Sequence, residues 1–232
     1  MRLRHATAQH IGDRSHQCDA TATSATTSGG RAFVLLDGIG TSTTVNAWTR
    51  AQAHRLADLT SQLLQPHQAI TQVQHEIAAA QPDIDGACAV IAVAQPDTSL
   101  EVAWIGDCRA YLRTPNGHLT QLTTDHNERA QHEARGEVAP PDARDYLTRC
   151  LGAQIGGDAL LPESLLIPTA AGTRLLLASD GCYEPIEDAG RDLAAELDPG
   201  RVPAACTEHL IRLAITLGGE NRDNATCLIA DL

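Results

Sequence analysis

The sequence predicts an α+β protein in which layers of helices cover antiparallel sheets. Three observations predict it: short apolar strands come in runs, amphipathic helical stretches come in pairs, and strand does not alternate with helix in the way that builds a parallel sheet. FVLL (33–36) is a strand that runs straight into the turn DGIGT. Residues 42–81 carry Val45, Trp48, Leu56, Leu59 and Leu63 at helical spacing, and Pro66 divides them into two helices. GACAVIAVAQ (86–95), SLEVAWIG (99–106) and CRAYLRT (108–114) read as successive strands, with PNG (115–117) turning the last into HLTQLT. Residues 124–160 are polar and contain GEVAPPDA, which predicts short helices and a mobile connection. LPESLLIP and the strand TRLLLAS (173–179) follow, then two amphipathic helical stretches between about 184 and 217. The chain closes on the strand NATCLIADL.

At 232 residues, with no repeat, low-complexity segment or linker, residues 1–232 read as one domain with length enough to bury a core. Seventeen basic residues stand against 29 acidic ones, a formal charge of −12 that repels nucleic acid and anionic membrane surfaces. The start, MRLRHATAQHIGDRSHQCD, has no apolar stretch after its basic residues, and no run is long enough to cross a bilayer, so a cytoplasmic location is expected. Seven cysteines (Cys18, Cys88, Cys108, Cys150, Cys182, Cys206, Cys227) form no C-x-x-C pair and read as reduced, buried, small apolar residues.

Chemistry concentrates at four aspartates. Asp37 follows FVLL, Asp107 follows VAWIG, Asp180 follows LLLAS and Asp223 precedes NATCLIADL. Any one of them is an ordinary turn former, because its carboxylate can bond nearby backbone amides. Four at strand ends are another matter, since converging carboxylates repel and need something positive among them. Few basic residues lie nearby in sequence, and Mg²⁺ or Mn²⁺ takes oxygen ligands of this kind. Gly38 and Gly181 would let backbone carbonyls come close to such an ion. A competing motif, CTEHLIR (206–212), has the C-x5-R spacing of a cysteine-dependent phosphatase but lies in an amphipathic helical pattern without the glycine-rich amide loop that reaction needs. No histidine spacing suits zinc. Arg109 is expected to pair with a local carboxylate and His126 to be structural.

In order, GDRSHQCD (12–19), VLLDGIG (34–40), VAWIGDCRAYL (102–112), LTTDH (122–126), LTRCLG (147–152), LLLASDG (175–181) and RDNATCLIA (222–230) resemble the bacterial form of the metal-dependent, type 2C serine/threonine protein phosphatases. The resemblance spans nearly the whole chain and implies an α-β-β-α sandwich of two antiparallel β-sheets flanked by helix pairs. It implies two Mn²⁺ or Mg²⁺ ions, with Asp37 bridging both, the Gly38 carbonyl on the first, and Asp180 and Asp223 on the second. A weaker third ion would be shared by Asp107 and Asp180. Arg14 matches the arginine that grips the substrate phosphate, and Asp19 an acidic residue near the metal-bound water. Gln17 and Cys18 stand where the family has Asn and then Glu or Gln. Thr41 replaces a second glycine, and in a left-handed conformation it would cost about 1–2 kcal/mol.

The implied activity is hydrolysis of phosphoserine and phosphothreonine on phosphoproteins, in bacteria often opposing a serine/threonine kinase. The alternative is a catalytically weak or inactive phosphatase-like protein acting as a partner-binding regulatory module. Under either reading partner selection would fall on residues 124–146, where relatives carry a variable flap.

Overall fold

The computed structural model describes residues 3–80, 86–95, 99–155 and 158–232. In chain order the first strands are β1 (Arg4–His10), β2 (Ala20–Ala25) and β3 (Arg31–Gly38), followed by helices α1 (Thr43–Leu63) and α2 (Pro66–Ala80). Next come β4 (Ala87–Ala94), β5 (Ser99–Ile105), β6 (Arg109–Arg113), β7 (Leu119–Gln121), α3 (Glu128–Ala134) and a 3-10 turn at Ala143–Asp145. The remaining elements are β8 (Gln154–Ile155), β9 (Asp158–Ala159), β10 (Glu163–Pro168), β11 (Arg174–Ala178), α4 (Asp180–Asp188), α5 (Leu193–Glu196), α6 (Pro203–Leu217) and β12 (Ala225–Asp231).

Two antiparallel five-stranded sheets form, in the orders β1-β12-β11-β6-β7 and β10-β5-β4-β3-β2. The central strands are buried on both faces, which is why they read as continuous apolar runs and not as alternation. Phe33 and Leu35 of β3 meet Leu175 and Leu177 of β11 and Leu228 of β12 between the sheets. One residue along, Val34 and Leu36 point the other way, onto Leu56, Ile70 and Val73 of α1 and α2. Leu176 of β11 likewise faces outward onto Tyr183, Leu210 and Ile211 of α4 and α6. Three apolar layers result, and the expected α-β-β-α sandwich is the architecture observed.

The helix break at Pro66 has a local cause. α1 starts on Ser42, whose Oγ accepts the Val45 N–H at 3.2 Å, and ends where Leu64 turns left-handed at φ 58°. Pro66 then opens α2 at the one helical position where its missing N–H costs nothing.

Beyond the expected strands, the structure adds β1 and β2 to the main sheets and the short pair β8 and β9 within the region where short helices and a connection are expected. β1 is mostly polar and exposed, and its strand state comes from pairing with β12, 215 or more residues away. β2 completes the outer edge of the second sheet against β3. The helical region also differs from expectation: α4 begins at Asp180, not near 184, and α4, α5 and α6 stand where two stretches were expected. LPESLLIP becomes the edge strand β10. Gln81, the end of the anticipated second helix, lies outside the described residues.

Strand directions deliver the aspartates to one end. β3 and β5 both run antiparallel to β4, so their C-terminal ends share an edge, and Asp37 and Asp107 sit there. In the other sheet the end of β11 lies beside the start of β12 through the Ala178–Cys227 pairing, which places Asp180 and Asp223 together.

Candidate metal centre

The two sheet edges meet, and the carboxylates feel one another. Burial pushes the Asp37 carboxyl well above its usual range, with Asp19, Asp180, Asp107 and Asp223 adding repulsion. Asp19 is pushed up to about 8, chiefly by burial and then by Asp180 and Asp223. Asp107 rises to about 7 through burial and Asp180. Asp180 is raised by burial and by Asp223, and a hydrogen bond from Asp37 partly relieves it. Asp37 and Asp180 keep part of their surface open to solvent, so an ion arriving from the adjoining cleft could reach them.

Each of the seven expected site residues can be placed. Asp37, Gly38, Asp107, Asp180 and Asp223 lie at the meeting edges, and Asp19 is buried behind them. Ser179 caps α4 but turns its hydroxyl to Asp19, donating to Oδ2 at 3.0 Å, while Asp19 Oδ1 is enclosed and without a hydrogen-bond partner. Arg14 is exposed, and its Nη2 lies 2.6 Å from Asp223 Oδ2. Asp223 is therefore held by Arg14, while Asp37, when protonated, can donate to Asp180. Among the described residues no three His, Cys, Asp or Glu side chains yet converge as a closed metal cage.

The donor set still fits a hard divalent cation. It is all oxygen, it carries more negative charge than burial tolerates, and the orphaned buried Asp19 Oδ1 lies directly behind it. Asp37, Asp180 and Asp223 with the Gly38 carbonyl would hold such an ion pair, and Asp107 a further ion.

Gly38 is also required by packing. A Cβ there would stand 2.4 Å from Thr49 Oγ1 and 2.7 Å from the Cys18 carbonyl oxygen, so α1 and the first motif pack directly on its backbone. A Cβ at Gly181 would meet the Asn224 carbonyl oxygen at 2.2 Å. Gly38→Ala is expected to lower stability by about 1–3 kcal/mol through overpacking, read as the midpoint of a denaturant titration without metal; an unchanged midpoint would refute the packing argument.

The altered first motif is firmly seated. The Cys18 N–H donates to Asn224 Oδ1 at 2.6 Å, the Cys18 carbonyl accepts the Gly38 N–H at 3.2 Å, and Gln17 Oε1 accepts the Asp19 N–H at 3.1 Å. Asn46 of α1 donates to the Gln17 carbonyl. Thr41 is not left-handed; Gly40 takes the positive φ of 118°. The strain envisaged at Thr41 does not arise, and its Oγ1 instead lies 2.9 Å from Ser15 Oγ, tying the DGIGT turn to GDRS.

Glu184 was not anticipated. It lies one helical turn after Asp180, and burial, then Asp180, pushes its carboxyl to about 8. With Arg14, Arg144, Asp180, Arg222 and Asp223 it lines a cleft of about 490 Å³ beside the metal centre. Arg144 arrives from the 124–146 segment, whose ends are pinned by Glu128 N–H to the Tyr146 carbonyl (2.9 Å) and Thr148 N–H to the His126 carbonyl (2.8 Å). The short helices expected there are α3 and the 3-10 turn.

All seven cysteines are buried and none forms a disulfide. Burial raises the Cys108 thiol well above its ordinary value, which makes it inert beside the carboxylates. Cys206 lies inside α6 with its thiol raised by burial, so CTEHLIR has no activated nucleophile. Arg109 pairs with Asp125 as anticipated.

Comparison with known proteins agrees with this geometry. The family model described as protein phosphatase 2C matches residues 38–135. The serine/threonine protein phosphatase PstP of Mycobacterium tuberculosis is 31% identical over 156 residues, covering 66% of this chain and 29% of that protein. The chain thus spans less than a third of the length of that relative. The crystal structure of the M. tuberculosis phosphatase PstP superposes with a TM-score of 0.81 at 27% identity, covering 100% of this chain and 99% of the other. A PstP catalytic domain in complex with two manganese ions superposes with a TM-score of 0.72 at 25% identity, covering 99% and 97%.

Proposed function

Since the chain carries a protein phosphatase 2C domain homologous to the bacterial PstP phosphatases, we propose that it is a Mn²⁺- or Mg²⁺-dependent phosphatase acting on phosphoserine and phosphothreonine in proteins. The observation that carries this reading is the meeting of Asp37 and Asp107 from one sheet with Asp180 and Asp223 from the other, beside a cleft that Arg14 enters.

Two ions held by Asp37, the Gly38 carbonyl, Asp180 and Asp223 would supply an activated water and neutralise charge on the phosphoryl oxygens. The protein's own residues do the rest. Arg14 presents a planar guanidinium able to take two phosphate oxygens at once. It now shares Asp223, so it can engage substrate fully only when Asp223 is engaged elsewhere. Asp19, whose carboxylate is held by Ser179 and whose backbone N–H is held by Gln17, would accept a hydrogen bond from a water held there. No protein nucleophile is needed.

Residues 1–232 acting as one catalytic domain fit this reading. So does a cytoplasmic setting, where seven cysteines outside disulfides stay reduced; no helix among the described residues is long and apolar enough to cross a membrane. In bacteria a serine/threonine kinase is the natural source of the substrate.

Purified protein is expected to hydrolyse an aryl phosphate and a phosphothreonine peptide with Mn²⁺ and to stop when chelator is added. Arg14→Ala should lower kcat/KM by about 10- to 100-fold, as loss of a charge-assisted pair predicts, mostly through KM. Absence of Mn²⁺-dependent turnover on both substrates would leave the binding-module alternative in its place.

A further inference from the structure

We propose that Tyr183, backed by Arg109, is a positioning residue that fixes the Asp107 carboxylate for the ion it would share with Asp180. The proposal rests on the metal-dependent reading above and concerns residues that reading does not use.

Asp107 sits on backbone that needs holding. It follows Gly106, which takes φ 104°, and a Cβ on Gly106 would stand 2.4 Å from Cys88 Sγ. His126 holds the glycine from one side: the Gly106 N–H donates to its Nδ1 at 3.0 Å, and the His126 N–H donates to the Gly106 carbonyl at 3.1 Å. Tyr183 holds the aspartate from the other side, its hydroxyl donating to the Asp107 carbonyl at 3.1 Å.

Tyr183 is 1% exposed and packs in the apolar layer under α4. A phenylalanine would fill nearly the same volume, and a buried hydroxyl is costly unless bonded. The hydroxyl's bond is to the backbone carbonyl of Asp107 itself, and its helix is the one that begins with Asp180. Tyr183 therefore sets the separation between two candidate ligands brought from different sheets.

Arg109 fixes Tyr183 in turn. Its guanidinium lies 3.9 Å over the Tyr183 ring centroid. Nε and Nη2 donate to the two carboxylate oxygens of Asp125 at 2.9 and 2.8 Å, while Nη1 donates to Glu187 Oε2 at 2.8 Å and to Tyr111 Oη at 3.0 Å. The Tyr111 hydroxyl donates to Glu187 Oε1 at 3.0 Å. Glu187 is one turn beyond Tyr183 on α4, so the network clamps α4 to β6 at the level of Asp107. Outer partners of metal ligands commonly govern affinity by about 10- to 100-fold.

The test is a calorimetric Mn²⁺ titration of wild type, Tyr183→Phe and Asp107→Asn, with melting temperatures in chelator. Wild type should show tight binding and a weaker class. Tyr183→Phe should weaken the weaker class by about tenfold or more, leave the tight class within about threefold, and keep the chelated melting temperature within a few degrees. Asp107→Asn should abolish the weaker class. A wild type without a weaker class, a Tyr183→Phe isotherm equal to wild type, or a uniform loss across both classes would each overturn the proposal. The phosphatase reading fails separately, if wild type binds Mn²⁺ yet turns over neither phosphate substrate.

Discussion

Asp37→Asn is expected to fold, to melt in chelator at or above the wild-type temperature, and to lose Mn²⁺-dependent turnover by about a thousandfold or more. The first two outcomes follow from the state of Asp37 without metal. Burial and four neighbouring carboxylates raise its carboxyl well above the usual range, which favours the protonated form, and in that form it can donate to Asp180. Asparagine has nearly the shape of that protonated acid and can donate the same bond. Asparagine also stays neutral at every pH, so the repulsion that ionised Asp37 would add among its neighbours never arises, which favours the metal-free fold. Catalysis needs the opposite state. A neutral amide cannot bridge two cations as a carboxylate does, and a two-ion centre contributes several kcal/mol to the transition state, each 1.36 kcal/mol being about tenfold in rate. Steady-state assays and melts of the same preparation separate the effects. Wild-type turnover in Asp37→Asn would remove Asp37 from the proposed ligand set, and a variant unfolded in chelator would refute this account of its metal-free state.

The contrast explains what the sequence made legible. FVLL, LLLAS and NATCLIADL could be read as buried strands because both faces of the central strands are covered, and apolar runs result. The four aspartates stood out because each falls where a strand begins or ends. β1 did not, since its residues are polar and their strand state depends on pairing with β12 at the far end of the chain. The Arg14–Asp223 pair spans 209 residues and leaves no local trace. Glu184 was hidden by a misplaced helix start: with α4 beginning at Asp180, the two acids share one helix face, a relation that vanishes when Asp180 is read as the end of a strand. The packing need for the glycines was not legible, because it arises only where α1 and the Asn224 backbone close on the two turns.

The same repelling carboxylates dictate how the metal-free protein responds to pH. Asp19, Asp107 and Glu184 have folded values of about 8, 7 and 8, and Asp37 and Asp180 are also raised, each chiefly by burial. As pH rises above about 4 the unfolded chain releases these protons first, so it binds fewer protons than the folded state and stability falls until the folded groups ionise near pH 8. His126 acts in the opposite sense. Its Nδ1 accepts the Gly106 N–H, and burial lowers its folded value, so its contribution is lost as pH falls below the unfolded value of about 6.5. Between about pH 6.5 and 8 histidine no longer opposes the carboxyls, and the melting temperature in chelator should decline steadily. Mn²⁺ should reverse that slope, because it binds the deprotonated carboxylates that proton loss exposes. At a hundredfold excess over its dissociation constant an ion adds about 2.7 kcal/mol, or about 5–10 °C for a chain of this length. Thermal melts at pH 6.5, 7.25 and 8 with chelator and with Mn²⁺ decide the matter. A chelated melting temperature that stays flat or rises, or a Mn²⁺ increment that shrinks with pH, would mean that these carboxylates do not share one cation-dependent site.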